Sequence, residues 1–487
     1  MRFSVRAVVC LVLLAAFPVV VLAVAAGLGA LEVFALRANA FTGVKIGLIV
    51  LPVLFVLVKA VFTLDRLGDG ERGGVVVTPE AQPRLWGLVR RLAADVGTAP
   101  PDEIRLVPAV NAGVSEDARL AGLRVTKRRM IIGAPLLAGL SEAQLTAVLA
   151  HELAHYSNRD TRFAAATYRG FVRMARTLGQ LSRPGWFDQV VAAFFAAYAR
   201  FYLRLSSTLS RRQELAADAL AATIAGPHAA ASALREVEAL AFAWHRFLSR
   251  YAGLGWSAGY LPRHIFGGFT AVLTDPGNRA ELDAVRAQPG TDATPYDSHP
   301  PTAERVALLE TLPGPAVTAD RPARDLLENP DATFEAVMAG ALREGADAKF
   351  RLDWPLLVHV SIRHDAGRAV EPLFRSAGYT MQQQPATLAT VLDAFETGRL
   401  AGHRELRQEM ELLVTVALAD AGLARWELSW SAPAQLTYEA GYGERLTAVL
   451  DAGDAAGLRK LVADAGLPLD WRPSASVSYP HPEAVRS

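Results

Sequence analysis

From Val8 to Leu31 the chain runs for 24 residues without a charge. As a helix this stretch is about 36 Å long, enough to cross a hydrocarbon layer of about 30 Å. A second apolar run, Ile46 to Val58, lies between Lys45 and Lys59. Extended back to Ala38 it also reaches spanning length, with Lys45 near one end where its head can snorkel to the interface. A cleaved leader ending at Ala38-Asn39-Ala40 is the rival reading, but a leader's apolar core is much shorter. The pattern therefore predicts a two-helix transmembrane hairpin over residues 1–66. Arg2 and Arg6 precede it, Lys59, Arg66 and Arg72 follow it, and Glu32, Arg37 and Lys45 fall in or near the connection. That bias predicts a multi-pass protein of the cell membrane, with both ends and the large C-terminal part in the cytoplasm.

The pattern changes after the hairpin. Residues 67–74 are rich in Gly and charge and read as a linker, and a globular region starts at Thr78. Leu85, Leu88, Leu92 and Val96 recur at helical spacing over 83–96, and Ala99-Pro100-Pro101 stops them. Residues 104–107 and 123–132 read as strands. Ser141 opens a helix, with Gln144 completing a capping box and Glu142 suiting the positive helix start. Helices are predicted over 183–203 and 211–224, the second stopping at Gly226-Pro227. Residues 275–301 read as loop, and 302–312 as a short helix. Beyond Pro322 the texture is Ala-, Leu- and Arg-rich, with Trp354, Trp426, Trp430 and Trp471 spread along it. Val391-Leu392-Asp393-Ala394 recurs as Val449-Leu450-Asp451-Ala452, a weak sign of a helical repeat. The expected fold is mainly α: the hairpin (1–66), an α+β domain with a small sheet (67–320), a helical C-terminal domain (321–472) and a loose tail (473–487).

Composition narrows the chemistry. Hydrophobic residues make up 51% of the chain, and the net charge is +1. No global field exists to recruit nucleic acid. The single cysteine, Cys10, lies in the first apolar run, so neither an internal disulfide nor a thiolate cluster is available. A metal would have to be held by His and carboxylate side chains. His151-Glu152-Leu153-Ala154-His155 is the motif HExxH. On a helix the two His share one face and both reach one zinc ion, while Glu152 lies beside them as a general base for the attacking water. A catalytic zinc needs a third protein ligand and an open position. Glu214 and Asp218, four apart on a second helix whose face carries Ala216, Ala217 and Ala221, are candidates for ligand and for orienting acceptor. Spacing alone leaves open an ordinary Arg–Glu surface face.

Residues 151–160, the stretch Ser210-Arg211-Arg212-Gln213-Glu214 with Ala217-Asp218, and His299-Pro300-Pro301-Thr302-Ala303-Glu304-Arg305 together resemble the HtpX-like and CAAX prenyl protease type 1 family of membrane zinc metallopeptidases. Order and rough spacing agree over residues 75–312. The resemblance implies an HExxH zincin fold with His151, His155 and Glu214 as ligands of one zinc. It implies Glu152 as general base and Asp218 as the acceptor orienting a ligand His. It further implies His299 as oxyanion donor, with Arg305 supporting that loop, and Asn111-Ala112 as the edge segment that receives the substrate strand. Two departures stand out. The only apolar core between the motifs, 190–199, is too short to span a membrane, and Gly113 stands where the family often has an aromatic residue.

The expected activity is metalloendopeptidase action on protein or peptide substrates, with lipid contacting the hairpin. The alternative is a membrane-tethered scaffold with structural zinc and latent or lost peptidase activity. The region after 321 is a candidate partner-binding module on either reading.

Overall fold

The computed structural model describes residues 5–62, 74–119, 124–157, 193, 197–198, 201, 211–291, 300–314, 320–400, 402 and 405–473. His299, most of the 183–203 segment, most of the 67–74 linker and the tail from 474 lie outside the described residues.

Two apolar helices begin the chain, α1 (Val5–Ala38) and α2 (Ala40–Phe62). The expected connecting segment shrinks to Asn39, and Glu32, Arg37 and Lys45 all lie within helices. Ala30, Leu31, Leu36 and Ala38 are strong helix formers that carry α1 past its charges. The Asn39 side chain then caps α2, its Oδ1 accepting from Phe41 N at 2.9 Å. Val21, Ala25 and Ala35 of α1 and Val50 of α2 are buried. A Cβ at Gly43 would strike Leu36, so that glycine sets how closely α2 approaches. Within α1 one window, Val19–Ala38, is long and apolar enough to cross a membrane, and Val19, Leu22, Leu31 and Phe34 on it are exposed.

The chain then forms two compact units. The first takes in residues up to Trp244 together with Glu281–Ala341. The second consists of His245–Ala280 and Leu342–Ser487. Two of its boundaries fall inside the helices Pro227–Arg250 and Pro276–Ala287. The latter occupies a stretch that reads as loop in the sequence. Pro276-Gly277 looks like a breaker, yet Pro at a helix start has the right φ and lacks only an amide that would go unused. Asp275 Oδ1 accepts from Gly277 N at 2.8 Å and caps that start.

In the first unit a four-stranded sheet has the order β1-β2-β4-β3. These strands are β1 (Val75–Val77), β2 (Glu103–Val107), β3 (Ala112–Arg119) and β4 (Arg124–Gly133). β2 and β4 run parallel, and the two outer pairings are antiparallel. Ile104, Leu106, Met130 and Ile132 point to one face and are fully buried. The helices α3 (Pro83–Val96), in which Leu85, Val89 and Leu92 are buried, and α5 (Glu142–Ser157), reached through α4 (Ala134–Gly139), pack against each other. The residue pattern predicts neither β1 nor β3; only the family resemblance points to an edge segment at Asn111-Ala112. β1 is three residues long, and β3 reads Ala-Gly-Val-Ser-Glu-Asp-Ala-Arg, too polar for a strand signal. An edge strand tolerates that composition because only one side of it is paired. Gly133 decides where β3 begins. A Cβ there would lie 2.0 Å from Ala109 O, and its N–H donates to Asn111 O at 2.7 Å.

The second unit is mainly helical, centred on Trp354–Thr380 and Leu406–Asp420, with two small two-stranded sheets. The recurrent Val-Leu-Asp-Ala segments lie on two separate helices, Leu388–Glu396 and Tyr442–Asp451.

Candidate metal centre

α5 starts as its sequence predicts. Ser141 N donates to Gln144 Oε1 at 3.0 Å, and Gln144 N donates to Ser141 Oγ at 3.2 Å. Two more amides of the first turn find acceptors far along the chain. Glu142 N donates to Arg321 O at 2.7 Å, and Ala143 N donates to Asp320 Oδ1 at 3.1 Å. All these groups would otherwise be orphan donors at a helix start. Leu145, Leu149 and Leu153 then bury one face completely.

The other face carries His151 and His155, one turn apart. Their Nε2 atoms are 3.2 Å from each other, and their rings meet edge to face. Glu214 arrives from the helix spanning 211–225. Its Oε2 lies 3.3 Å from His151 Nε2 and its Oε1 3.5 Å from His155 Nε2. The helix comes this close because Ala217, Ala221 and Ala222 on its inner face are small and buried. Ala216, expected on that face, is exposed.

The spacing of these donors has a chemical meaning. A tetrahedral zinc with bonds of about 2.0–2.1 Å sets its donors about 3.3 Å apart. Three donors at 3.2, 3.3 and 3.5 Å fit such an ion. Among the described residues these are the three His or carboxylate side chains grouped closely enough to share a metal. The electrostatics agree. Burial alone would push the His151 imidazole down, but the carboxylates of Asp218 and Glu214 outweigh it and raise it to about 9. The carboxylates make this a pocket that favours positive charge.

Behind the donors stands a chain of polar contacts. His151 Nδ1 lies 2.9 Å from Asp218 Oδ1, at hydrogen-bond distance though off the ideal line. Arg305, from the helix Thr302–Glu310, grips the same carboxylate with two bonds. Nε donates to Oδ2 at 2.7 Å, and Nη2 donates to Oδ1 at 2.6 Å. Burial would push Asp218 up, but the Arg305 fork and His151 hold its carboxyl below the usual range. The resemblance assigns Arg305 to the His299 loop, which lies outside the described residues; among those described, its guanidinium faces Asp218. No local signal reveals this, because 87 positions separate the partners. Glu152 is half-buried beside the two His. Asn111 is exposed and Ala112 opens β3, an edge strand that lies against α5. The sequence reading missed Asp320 and Arg321, whose capping contacts depend on the tertiary fold.

Comparison with known proteins supplies the rest. The pattern of peptidase family M48 matches residues 79–312. A protein named Protease HtpX homolog from Tropheryma whipplei (strain Twist) is 29% identical over 297 residues, covering 57% of this chain and 90% of that protein. One of the same name from Acidiphilium cryptum is 32% identical over 272 residues, or 52% of this chain and 82% of that protein. The chain belongs to peptidase family M48. Protease HtpX homolog 1 of Streptomyces coelicolor is 32% identical over 207 residues, covering 39% of this chain and 65% of that protein. No solved structure matches the chain. This M48 member is thus an HtpX-like metalloprotease, and all the donors described above lie inside the matched region.

Proposed function

We propose that the chain is a membrane-anchored, zinc-dependent endopeptidase of unfolded or extended protein segments. The observation that carries this reading is the spacing of His151, His155 and Glu214, which suits one four-coordinate zinc with a position left for water. A zinc ion held there supplies Lewis acidity, acidifying a water and polarising the scissile carbonyl. The chain's own residues do the remainder. The Glu152 carboxylate accepts the proton of the attacking water and passes it to the leaving amine. His299 donates to the developing oxyanion. The substrate lies as an added strand along β3 near Asn111 and Ala112, its backbone pairing with the open edge.

Anchoring rests on the exposed apolar surface of α1 and α2, where Phe34, Phe41 and Leu48 are each 70% or more exposed. Such a surface is stable in lipid and not in water. Read as a hairpin, the two helices leave both ends on one side, and the flanking Arg and Lys favour the cytoplasm for the protease domain.

The test uses full-length protein in detergent with casein as substrate. Cleavage is expected to stop on metal chelation and return with added zinc, with one zinc per active chain. Cleavage that continues in a metal-free preparation would overturn the proposal.

A further inference from the structure

Arg305 has only 9% of its surface exposed, although a guanidinium gives up strong hydration on burial. Something in the fold must hold it there. Its helix packs through Val306 and Leu309, each 2% exposed, into a bed of Ala147, Ala222, Ala230, Ala231 and Ala233. Side chains this small let the helix approach until the guanidinium reaches the carboxylate of Asp218. The charges around the donors explain the need. Glu214 and Asp218 are two buried carboxylates one turn apart, and Arg305 lies 2.6 Å from Asp218 and 3.9 Å from Glu214.

We propose that Arg305 is a positioning residue for the metal centre, acting through Asp218 on the ring of His151. The forked grip fixes both oxygens of Asp218 and so aims Oδ1 at His151 Nδ1. A proton on Nδ1 leaves the Nε2 lone pair free to face the metal, so the fork sets both the tautomer and the ring orientation. A lysine cannot reproduce this, because an ammonium is a point charge without a planar fork. The proposal rests on the reading of His151, His155 and Glu214 as zinc ligands. It adds to the family resemblance, which implies that Arg305 supports the His299 loop.

The test is a double-mutant cycle on zinc release. The full-length protein is loaded with one zinc, and loss to an excess of chromogenic chelator is timed, with no substrate present. Arg305→Met is expected to accelerate release about 10–100-fold, the usual effect of removing an outer partner of a ligand. Arg305→Lys should behave more like Arg305→Met than like wild type. In an Asp218→Asn background, Arg305→Met should add less than twofold. In a His299→Ala background it should add its full factor. Thermal unfolding of each metal-free variant identifies any that fail to fold, and Arg305→Lys then carries the cycle in place of Arg305→Met. Equal acceleration in the wild-type and Asp218→Asn backgrounds would overturn the proposal, as would unchanged release from a folded Arg305 variant. A wild type that binds no zinc would instead overturn the peptidase reading itself, so the two failures are distinct.

Discussion

Among the described residues, each compact unit holds an arginine–aspartate fork whose arginine is buried. In the protease unit Arg305 holds Asp218 with contacts of 2.7 and 2.6 Å. In the second unit Arg363, only 2% exposed, holds Asp420 with contacts of 2.7 and 2.5 Å. The two forks match in geometry and differ in the third group that the aspartate meets. Asp218 faces His151 Nδ1, and the other nitrogen of that ring looks at Glu214 and His155. Asp420 Oδ2 accepts from the indole N–H of Trp471 at 3.0 Å. Trp471 in turn belongs to the segment whose backbone carbonyls accept from Leu388 N and Ala389 N. One fork orients a candidate ligand, and the other staples the segment around Trp471 onto its helices. A buried ion pair therefore says little about function by itself; the neighbour of its carboxylate decides the role.

Substitutions can break this comparison. Asp420→Ala leaves the buried Arg363 charge without its fork and should cost about 3–5 kcal/mol, read by denaturant unfolding of the second unit. Asp218→Asn keeps the shape of its site, and its main effect should be on metal, a zinc affinity about 10–100-fold weaker in a chelator competition. If the two substitutions exchanged these phenotypes, the division of roles would be wrong. Ser141→Ala removes half of the capping box at the start of α5 and should cost about 1 kcal/mol, lowering the Tm of the protease unit by about 2–4 °C.

The smallest effect concerns pH. Burial, aided by the Arg425 cation, lowers the pKa of His359 in the second unit. The unfolded chain then takes up a proton before the folded one does. Stability should be level well above pH 6.5 and fall as pH drops through it, by less than about 1 kcal/mol at pH 6. His359→Gln should flatten that acid limb. An unchanged limb would show that His359 titrates alike in both states.

The comparison also shows what was legible in the sequence. His151, Glu152 and His155 sit on one helical turn, so local spacing carries their geometry, and Ser141 with Gln144 marks where that helix starts. The apolar runs of α1 and α2 announce themselves by length alone. Contacts between distant segments carry no such signal. Asp218 with Arg305, Ala143 with Asp320, and Arg363 with Asp420 are each set by how helices pack, and no local pattern encodes them. Arg363 illustrates the difficulty, since an arginine in the middle of a long helix reads as a solvated position. The polar strand β3 and the helix starting at Pro276 escape for a related reason. An edge position excuses the first from being apolar, and a proline at the first helical position imitates a turn.

The central claim is that Glu152 performs the proton transfer at a metal held by His151, His155 and Glu214. It is tested most directly by Glu152→Gln, which removes the base but none of the ligands. Full-length wild type and variant in detergent would be assayed side by side for bound zinc and for casein cleavage. The account predicts one zinc on each protein and a variant slower by about 10²–10⁴-fold or more. A zinc-loaded Glu152→Gln that cleaves at the wild-type rate would contradict it.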